Sequence, residues 1–269
     1  MHPVLFQIGS LIVPGYGACA SLGVLLALAL VQATARRTGL DPRHGWNLLV
    51  LAVFAALAVS RLVLVAINLS ELQRHPSWLL SVSMVHHPLL TAAGTGAGLC
   101  AVLIYVRWAK LPLKAVADCL AAPVSVAMAA EQAGALLAGS DFGRESASSS
   151  IVGAITYSSE LAARWSGTPL RVPLYPVQAY AALGDLLLAC IVYGWLRLQH
   201  RRGDATGVWL VGSGVLLFVT EIFRDWEGRG VMLKDALDIP QLVGLGMVVL
   251  GGTMLAEWPQ AHHERLKDV

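Results

Sequence analysis

Two oppositely charged residues stand three positions apart at the end of a long apolar run. Glu221 and Arg224 belong to the segment TEIFRD. Residues three apart lie on one face of a helix, so the two charges are neighbours if the run is helical. One interpretation is a structural ion pair. The other is that the Arg224 guanidinium, a planar fork of donors that stays charged, holds an anionic head group such as a phosphate.

Other ionisable residues interrupt apolar runs elsewhere in the chain. A charge in such a run is costly and normally faces a polar cavity or a partner. Arg61 lies deep in its run and needs a counter-ion, which Glu131 or Glu221 could supply. Asp118 and Asp185 are predicted to have structural roles.

Glycines and prolines flank further polar residues at the ends of these runs. In GSDFGR (139–144), two glycines permit close backbone approach or a positive φ before Arg144. The alternative is a helix C-cap followed by an ordinary surface arginine. In VPLYPVQAY (172–180), prolines fix an extended entry to a helix, with Gln178 near the interface. In PGYG, Tyr16 stands between glycines where the first helix begins.

Two adjacent histidines, His86 and His87, precede the third apolar run. Imidazole titrates near neutral pH, so either histidine could act as a general base. The alternative is that both are merely interfacial or exposed.

The composition identifies the class of protein whose elements must position these residues. The 269 residues are 56% hydrophobic and only 13% charged, with mean hydropathy +0.64, whereas soluble domains carry roughly 25% charged residues. Crossing a bilayer core of about 30 Å takes about 20 helical residues. Seven stretches have that length: 15–34, 46–67, 90–107, 115–138, 177–196, 207–224 and 238–257. We therefore predict an all-α integral membrane protein with seven transmembrane helices, forming one domain over 1–269.

The composition also excludes several function classes. The four cysteines stand singly in apolar runs, so we predict neither a metal site nor a disulfide framework, and no cofactor. A net charge of +2 is too small to indicate nucleic-acid binding.

Basic residues in the loops predict the orientation. Unbalanced Lys and Arg follow the first, third and fifth runs and recur in the tail, 258–269, so these segments are predicted to be cytoplasmic. The N-terminus is then outside and the C-terminus cytoplasmic. The segment 139–176 becomes an outer loop or cap of 38 residues, and a loop of that length is commonly functional.

Taken in order, these motifs resemble those of the prolipoprotein diacylglyceryl transferase family. The resemblance is carried by HPVLFQIGSLIVPGYG (2–17), ALAVSRL (56–62), VADCLAAP (116–123), LLAGSDFGR (136–144), VPLYPVQAY (172–180), TEIFRD (220–225) and IPQL (239–242). It runs from about residue 2 to residue 257 and includes the seven spans and the outside N-terminus.

The resemblance implies a multi-pass enzyme of the bacterial cytoplasmic (inner) membrane. Such an enzyme transfers diacylglyceryl from phosphatidylglycerol to the lipobox cysteine of a prolipoprotein and releases glycerol phosphate. This chemistry needs a group that helps to form the thiolate and cations that bind the phosphate. The residues that match the family's motif positions are Tyr16, Arg61, Gly143, Arg144, Glu221 and Arg224. We therefore expect Arg224, Arg144 and Tyr16 to be catalytic, with His87 or its neighbour His86 as a replacement base. The expected substrate-binding residues are Arg61, Glu221, Gly143, Gln178, Glu131 and Gln132.

The chain also departs from the family pattern. The family has a histidine, an arginine, an acid, a second histidine and a glutamate at the positions of Thr91, Gln132, Ser140, Tyr175 and Ala181. Glu131 adds an acid that would repel a phosphate unless Arg61 neutralises it or burial keeps it protonated. Three functions therefore stay open: a lipid-group transferase with an altered substrate, a catalytically inactive paralogue that binds lipid or a partner membrane protein, and a transporter. No broken-helix repeat supports the transporter.

Overall fold

The computed structural model describes residues 3–8, 11–69, 88–146, 153–198, 201–224, 231–232 and 237–256. The helices in these ranges are α1 (Gly15–Thr38), α2 (Pro42–Ile67), α3 (Pro88–Trp108), α4 (Leu113–Ala138), α5 (Glu160–Ser166), α6 (Val177–Arg197), α7 (Asp204–Ile222) and α8 (Ile239–Ala256). The strands are β1 (Val4–Ile8), β2 (Leu11–Pro14), β3 (Ile155–Thr156), β4 (Pro173–Leu174), β5 (Val231–Met232) and β6 (Leu237–Asp238). Consecutive strands pair as antiparallel ribbons.

The seven predicted spans are confirmed. Every helix named above except the short α5 is long and apolar enough to cross a membrane. The ends differ from the predicted runs by four residues or fewer, because capping, and not hydropathy, decides where a helix stops. For example, α1 continues through Arg36 and Arg37 to Gly39, which has a left-handed φ of 73°. The next helix begins after Asp41, whose carboxylate accepts a hydrogen bond from the Arg43 amide at 2.8 Å.

The central helix of the bundle is α4. It packs against α1 and α6 and also contacts α7. Pro123 lies inside this helix without ending it. The Thr34 hydroxyl of α1 donates to the Cys119 carbonyl at 2.8 Å, and the Trp209 indole of α7 donates to the Ser125 hydroxyl at 2.9 Å. These bonds satisfy buried polar groups and fix the register of the neighbouring helices on α4.

Two helix pairs flank this centre. One pair is α2 with α3, where the Ser60 hydroxyl donates to the Leu90 carbonyl at 3.0 Å, and the other is α7 with α8. Large apolar side chains are exposed on the outer surface of the bundle, among them Leu25, Phe54, Ile104, Leu187 and Val249. A continuous apolar exterior is the expected surface for contact with lipid tails.

Antiparallel packing sorts the helix ends onto two faces. The N-terminal end of α1 meets the C-terminal end of α4, since Tyr16 contacts Gly134 and Thr34 contacts Cys119. We call the face with Tyr16 the site face. The opposite face, here the basic face, carries Arg36, Arg37, Arg107, Lys110, Lys114, Arg197, Arg201 and Arg202. That the site face is extracytoplasmic stays a prediction from the loop charges.

The described parts of 139–176 form a cap on the site face. The Tyr157 side chain is fully buried, and its hydroxyl donates to the Leu136 carbonyl at 3.1 Å. Burial raises the pKa of Tyr157 to about 12, so the hydroxyl remains a donor at all physiological pH values. The Thr168 hydroxyl donates to the Gly139 carbonyl at 2.7 Å. Both bonds dock the cap onto the end of α4.

Candidate active site

An extended segment of the cap, 143–146, joins two parts of the chain by backbone hydrogen bonds. The Arg144 amide donates to the Phe223 carbonyl at 2.9 Å, and the Tyr175 amide donates to the Arg144 carbonyl at 3.1 Å. A Cβ on Gly143 would collide with the Tyr175 carbonyl oxygen and would lie 2.9 Å from the Phe223 carbonyl oxygen. Only glycine fits where these backbones meet, so the site face is held together at this residue.

Arg224 lies beside Gly143 and is buried among acids. Its Nε is 3.4 Å from Glu221 Oε1, and its Nη1 is 3.8 Å from Asp141 Oδ1. Its side chain is 11% exposed and that of Glu221 only 2%. A buried charge needs a partner, and the acids supply one. The predicted ion pair is therefore present.

The Arg224 Nε nevertheless lacks a hydrogen bond. It is buried, and no acceptor in the described part of the chain has the required geometry, Glu221 included. A buried donor left without an acceptor costs about 1–3 kcal/mol. The charge of Arg224 is thus compensated by two acids, whereas its Nε–H makes no hydrogen bond to a described residue.

Arg144 occupies the other side of the same extended segment. Successive residues of an extended chain point to opposite sides, so the side chain of Arg144 points away from the side on which Gly143 meets Arg224. Arg144 is exposed, whereas the side chain of Arg224 is only 11% exposed. The Arg144 guanidinium lies over the Tyr175 ring, 5.8 Å from its centroid, and that ring packs against Phe223 at 5.5 Å. Such a cation–π contact orients the guanidinium at an exposed position. Arg144 therefore stands at the rim of the site.

Tyr16 and Glu131 form the second polar group of the site face. The Tyr16 hydroxyl donates to Glu131 Oε1 at 2.9 Å, although the residues are 115 positions apart. The contact is possible because Gly134 faces the start of α1: a Cβ there would lie 3.0 Å from the Tyr16 carbonyl oxygen. Glu131, an acid within the apolar helix α4, therefore accepts a hydrogen bond from a hydroxyl group.

Arg61 does not form the ion pair that the sequence predicts for it. Among the described residues it forms no ion pair or hydrogen bond, so the expected pairing with Glu131 or Glu221 is not made. Instead Glu131 is bound by Tyr16, and Glu221 by Arg224. The substrate-binding role of Arg61 stays a prediction.

The comparisons with known proteins decide the family. A family model described as prolipoprotein diacylglyceryl transferase matches residues 3–257. This chain belongs to that family. Three relatives named phosphatidylglycerol–prolipoprotein diacylglyceryl transferase align over most of their length. The protein of Clostridium tetani is 23% identical over 93% of this chain and 95% of its own. That of Pseudoalteromonas translucida is 26% identical over 96% and 92%, and that of Methylibium petroleiphilum 28% over 93% of each.

Membership of the prolipoprotein diacylglyceryl transferase family confirms the resemblance seen in the motifs and makes the protein a transferase by family. The positions that depart from the family pattern can now be located. Tyr175 is the ring beneath Arg144. Thr91 is exposed near the start of α3, and Ala181 is buried on α6.

Gln132 and Ser140 leave polar atoms without partners at the end of α4. Gln132 Oε1 and Ser140 Oγ are buried, and neither has a hydrogen bond within the described ranges. Gln178 adds a third such oxygen, Oε1, although its Nε2 donates to the Ser140 carbonyl at 2.7 Å. Buried oxygens of this kind usually meet water or a ligand. The amide nitrogen of Gln178 meanwhile holds the cap on the end of α4.

The remaining predicted residues divide into three groups. Asp118 is structural as predicted, since it accepts bonds from the Gly203 amide at 2.6 Å and from the Thr206 amide at 2.8 Å. Asp185 is buried on α6, and its structural role stays a prediction. His86 and His87 lie outside the described residues, so the predicted replacement base is not located.

Asp141 is a site residue that sequence reasoning missed. It contacts Arg224 from the cap and adopts a positive φ of 53° directly after the end of α4. Aspartate is among the few residues that tolerate this conformation. An acid two residues past a glycine C-cap was the available signal, but nothing in the sequence paired it with a residue 83 positions away.

Proposed function

We propose that this protein transfers a diacylglyceryl group from phosphatidylglycerol, or a related anionic phospholipid, to the cysteine thiol of a prolipoprotein in a bacterial cytoplasmic membrane. The relatives' names state this donor and this acceptor. The observation that carries the proposal for this chain is Arg224. Its guanidinium is buried and charge-compensated, and its Nε has no acceptor among the described residues.

The reaction sets two physical requirements. The thiol loses a proton, and the thiolate attacks the glyceryl carbon that bears the phosphate, so a C–S bond forms. The C–O bond to the phosphate breaks, and glycerol phosphate leaves with the electron pair. The site must therefore accept a proton and stabilise the charge on the departing phosphate.

Arg224 meets the requirement to stabilise the charge on the departing phosphate. Its planar donors suit phosphate oxygens, while Glu221 and Asp141 hold it in place. Because both carboxylates already balance its charge, binding depends on directed hydrogen bonds more than on net attraction. Arg144 at the rim supplies an exposed cation that attracts the anionic lipid as it enters, and its ring support from Tyr175 limits its motion.

Glu131 and Tyr16 meet the requirement to accept the thiol proton. Of the three described carboxylates of the site, Asp141 and Glu221 pair with Arg224, whereas Glu131 accepts a hydrogen bond from the neutral Tyr16 hydroxyl, which fixes its orientation at 2.9 Å. We assign the thiol proton to Glu131. His87 remains the alternative from sequence.

The inactive-paralogue function has one observation in its favour. The described acids around Arg224 and Tyr16 number three, Glu131, Asp141 and Glu221, against the two guanidiniums of Arg144 and Arg224. An excess of acid weakens the attraction for an anionic lipid, and such a site would suit a protein that holds lipid without reacting.

Genetic complementation separates the two functions. A bacterium depleted of its own transferase should regain growth and lipid-modified lipoproteins when this chain is expressed. Expression at normal levels in the membrane without any lipid modification would contradict the transferase assignment and favour the inactive paralogue.

A further inference from the structure

A cavity opens on the basic face, at the opposite end of the bundle from Tyr16 and Arg224. It lies among the starts of α4 and α7 and the end of α8. The space within it and at its mouth is about 340 Å³. Its lining consists of Lys114, Arg201, Arg202, Gly203, Asp204 and Met254.

The shape of this cavity depends on the residue at its floor. A Cβ on Gly203 would lie 3.4 Å from Lys114 Cδ and 3.4 Å from Met254 Cε. A side chain at this position would therefore occupy the space between the two walls. The stem of Lys114 and the thioether of Met254 form apolar walls, while the ammonium group belongs at the polar mouth.

The charge of the cavity comes from side chains and not from the helix terminus beneath it. At the start of α7, Asp118 already accepts hydrogen bonds from the amide of Gly203, which precedes the helix, and from that of Thr206, and the Asp204 amide donates to the Arg201 carbonyl at 3.2 Å. The lining holds three cations and one acid, so its formal charge is +2.

Arg201 is fixed in this lining by its neighbours. Its Nη2 lies 3.3 Å from Asp204 Oδ1 and 3.5 Å from the Met254 carbonyl oxygen. Its backbone amide donates to Asp204 Oδ2 at 2.9 Å. The rim therefore presents a guanidinium in a defined position, which reduces the conformational entropy lost when an anion binds.

We propose that this cavity binds an anionic phosphate group. Guanidinium and ammonium groups around a pocket between membrane helices match the chemistry of a phosphate oxyanion. The exposed Leu113 precedes Lys114, and the exposed Leu250 lies one turn before Met254. These apolar side chains would contact acyl chains, so a phospholipid head group is the favoured carrier. The site is independent of the transferase proposal because it lies on the other face.

Lipid counting tests the proposal. The protein is purified in detergent and titrated with dihexanoyl phosphatidylglycerol, and bound lipids are counted by native mass spectrometry. We compare wild type with the double variant Lys114→Gln/Arg202→Gln. The control, Arg36→Gln/Arg37→Gln, removes the same charge from exposed positions at the end of α1 on the same face.

The expected result is that the cavity variant retains one phosphatidylglycerol fewer than wild type, whereas the control retains as many. Dihexanoyl phosphatidylcholine should show no such difference. Equal lipid numbers in all three proteins, or an equal loss in the control, would rule out a phospholipid as the carrier of the phosphate, since diffuse surface charge would then explain the lipid binding.

A second measurement identifies the carrier of the phosphate. Thermal unfolding is followed in detergent with inorganic phosphate in place of lipid. Stabilisation that is present in wild type and absent from the cavity variant would support the site with a soluble phosphate as ligand. If neither phosphate nor the lipid distinguishes the cavity variant from the control, the site does not exist.

Discussion

At the level of single residues, the two arginines of the candidate site lie in different surroundings. Arg224 is buried and compensated by Glu221 and Asp141, and its Nε still lacks an acceptor in the described structure. Arg144 is exposed and supported by an aromatic ring. Burial makes a directed hydrogen bond worth more than the same bond in water. The interior arginine is therefore suited to the transition state and the rim arginine to capture.

Glu131→Gln tests the assignment of the proton acceptor. Glutamine can still accept the Tyr16 hydroxyl bond but cannot take a proton. General-base catalysis contributes typically 10²–10⁴-fold, so we expect kcat for diacylglyceryl transfer to fall by about 100-fold or more. The fall should shrink as the pH rises and the thiol ionises without help.

The control for this variant is Glu160→Gln, which alters an exposed acid at the start of α5 in the cap. It should transfer lipid like wild type. A Glu131→Gln protein with a rate within twofold of wild type would place the base elsewhere, with His87 as the candidate from sequence.

At the level of elements, the cap is a backbone assembly centred on Gly143. The segment that contains it pairs with residue 175 on one side and with residue 223 on the other. These bonds connect the cap, the start of α6 and the end of α7. The position of Arg224 therefore depends on the cap as well as on its own helix.

Gly143→Ala should loosen this assembly. The added methyl meets the Tyr175 carbonyl and lies 2.7 Å from Val177 Cγ2. Overpacking of this kind costs typically 1–3 kcal/mol. We expect a lower thermal unfolding temperature and faster proteolysis within 139–176.

Gly246→Ala is the matched control, because nothing lies within 4 Å of a Cβ at that position of α8. It should unfold at the wild-type temperature or slightly above it, since alanine is a better helix former than glycine. Equal stability of both variants would show that the close approach at Gly143 is not a constraint.

The sequence predicted the helices and missed the pairings of the cap. Apolar runs predict spans well because a bilayer demands about 20 consecutive apolar residues in helical form. The Tyr16–Glu131 bond and the Asp141–Arg224 contact join residues far apart in the chain, and no periodicity encodes such contacts. The strands β3 and β4 have two residues each, too few for an alternating pattern to be recognised.

At the level of the whole molecule, the two faces of the bundle differ in charge and content. The site face holds the cap and the cluster of Arg224 with its two acids. The basic face holds Lys and Arg that acids do not balance, together with the cavity lined by Lys114 and Arg201. This asymmetry is what the positive-inside rule describes for short loops. It is also the basis for the prediction that the candidate active site is extracytoplasmic.

Reporter fusions test that orientation. Alkaline phosphatase, which is active only outside the cytoplasm, should be inactive when fused after residue 256 and active when inserted at residue 153 in the cap. Fluorescent protein fused after residue 256 should fluoresce. The reverse pattern would place the candidate active site on the cytoplasmic side and contradict the predicted topology.

The most direct test of the central claim is the transfer rate of Arg224→Lys in proteoliposomes that contain labelled phosphatidylglycerol and a lipobox peptide. Lysine keeps the charge that Glu221 and Asp141 compensate but lacks the guanidinium fork. We predict that wild type and the control Arg164→Lys label the peptide cysteine, and that Arg224→Lys remains folded with kcat/KM reduced about 10- to 100-fold, since a hydrogen bond to a charged group contributes about 1.5–3 kcal/mol. Transfer by Arg224→Lys at the wild-type rate, or no transfer by wild type, would contradict the account.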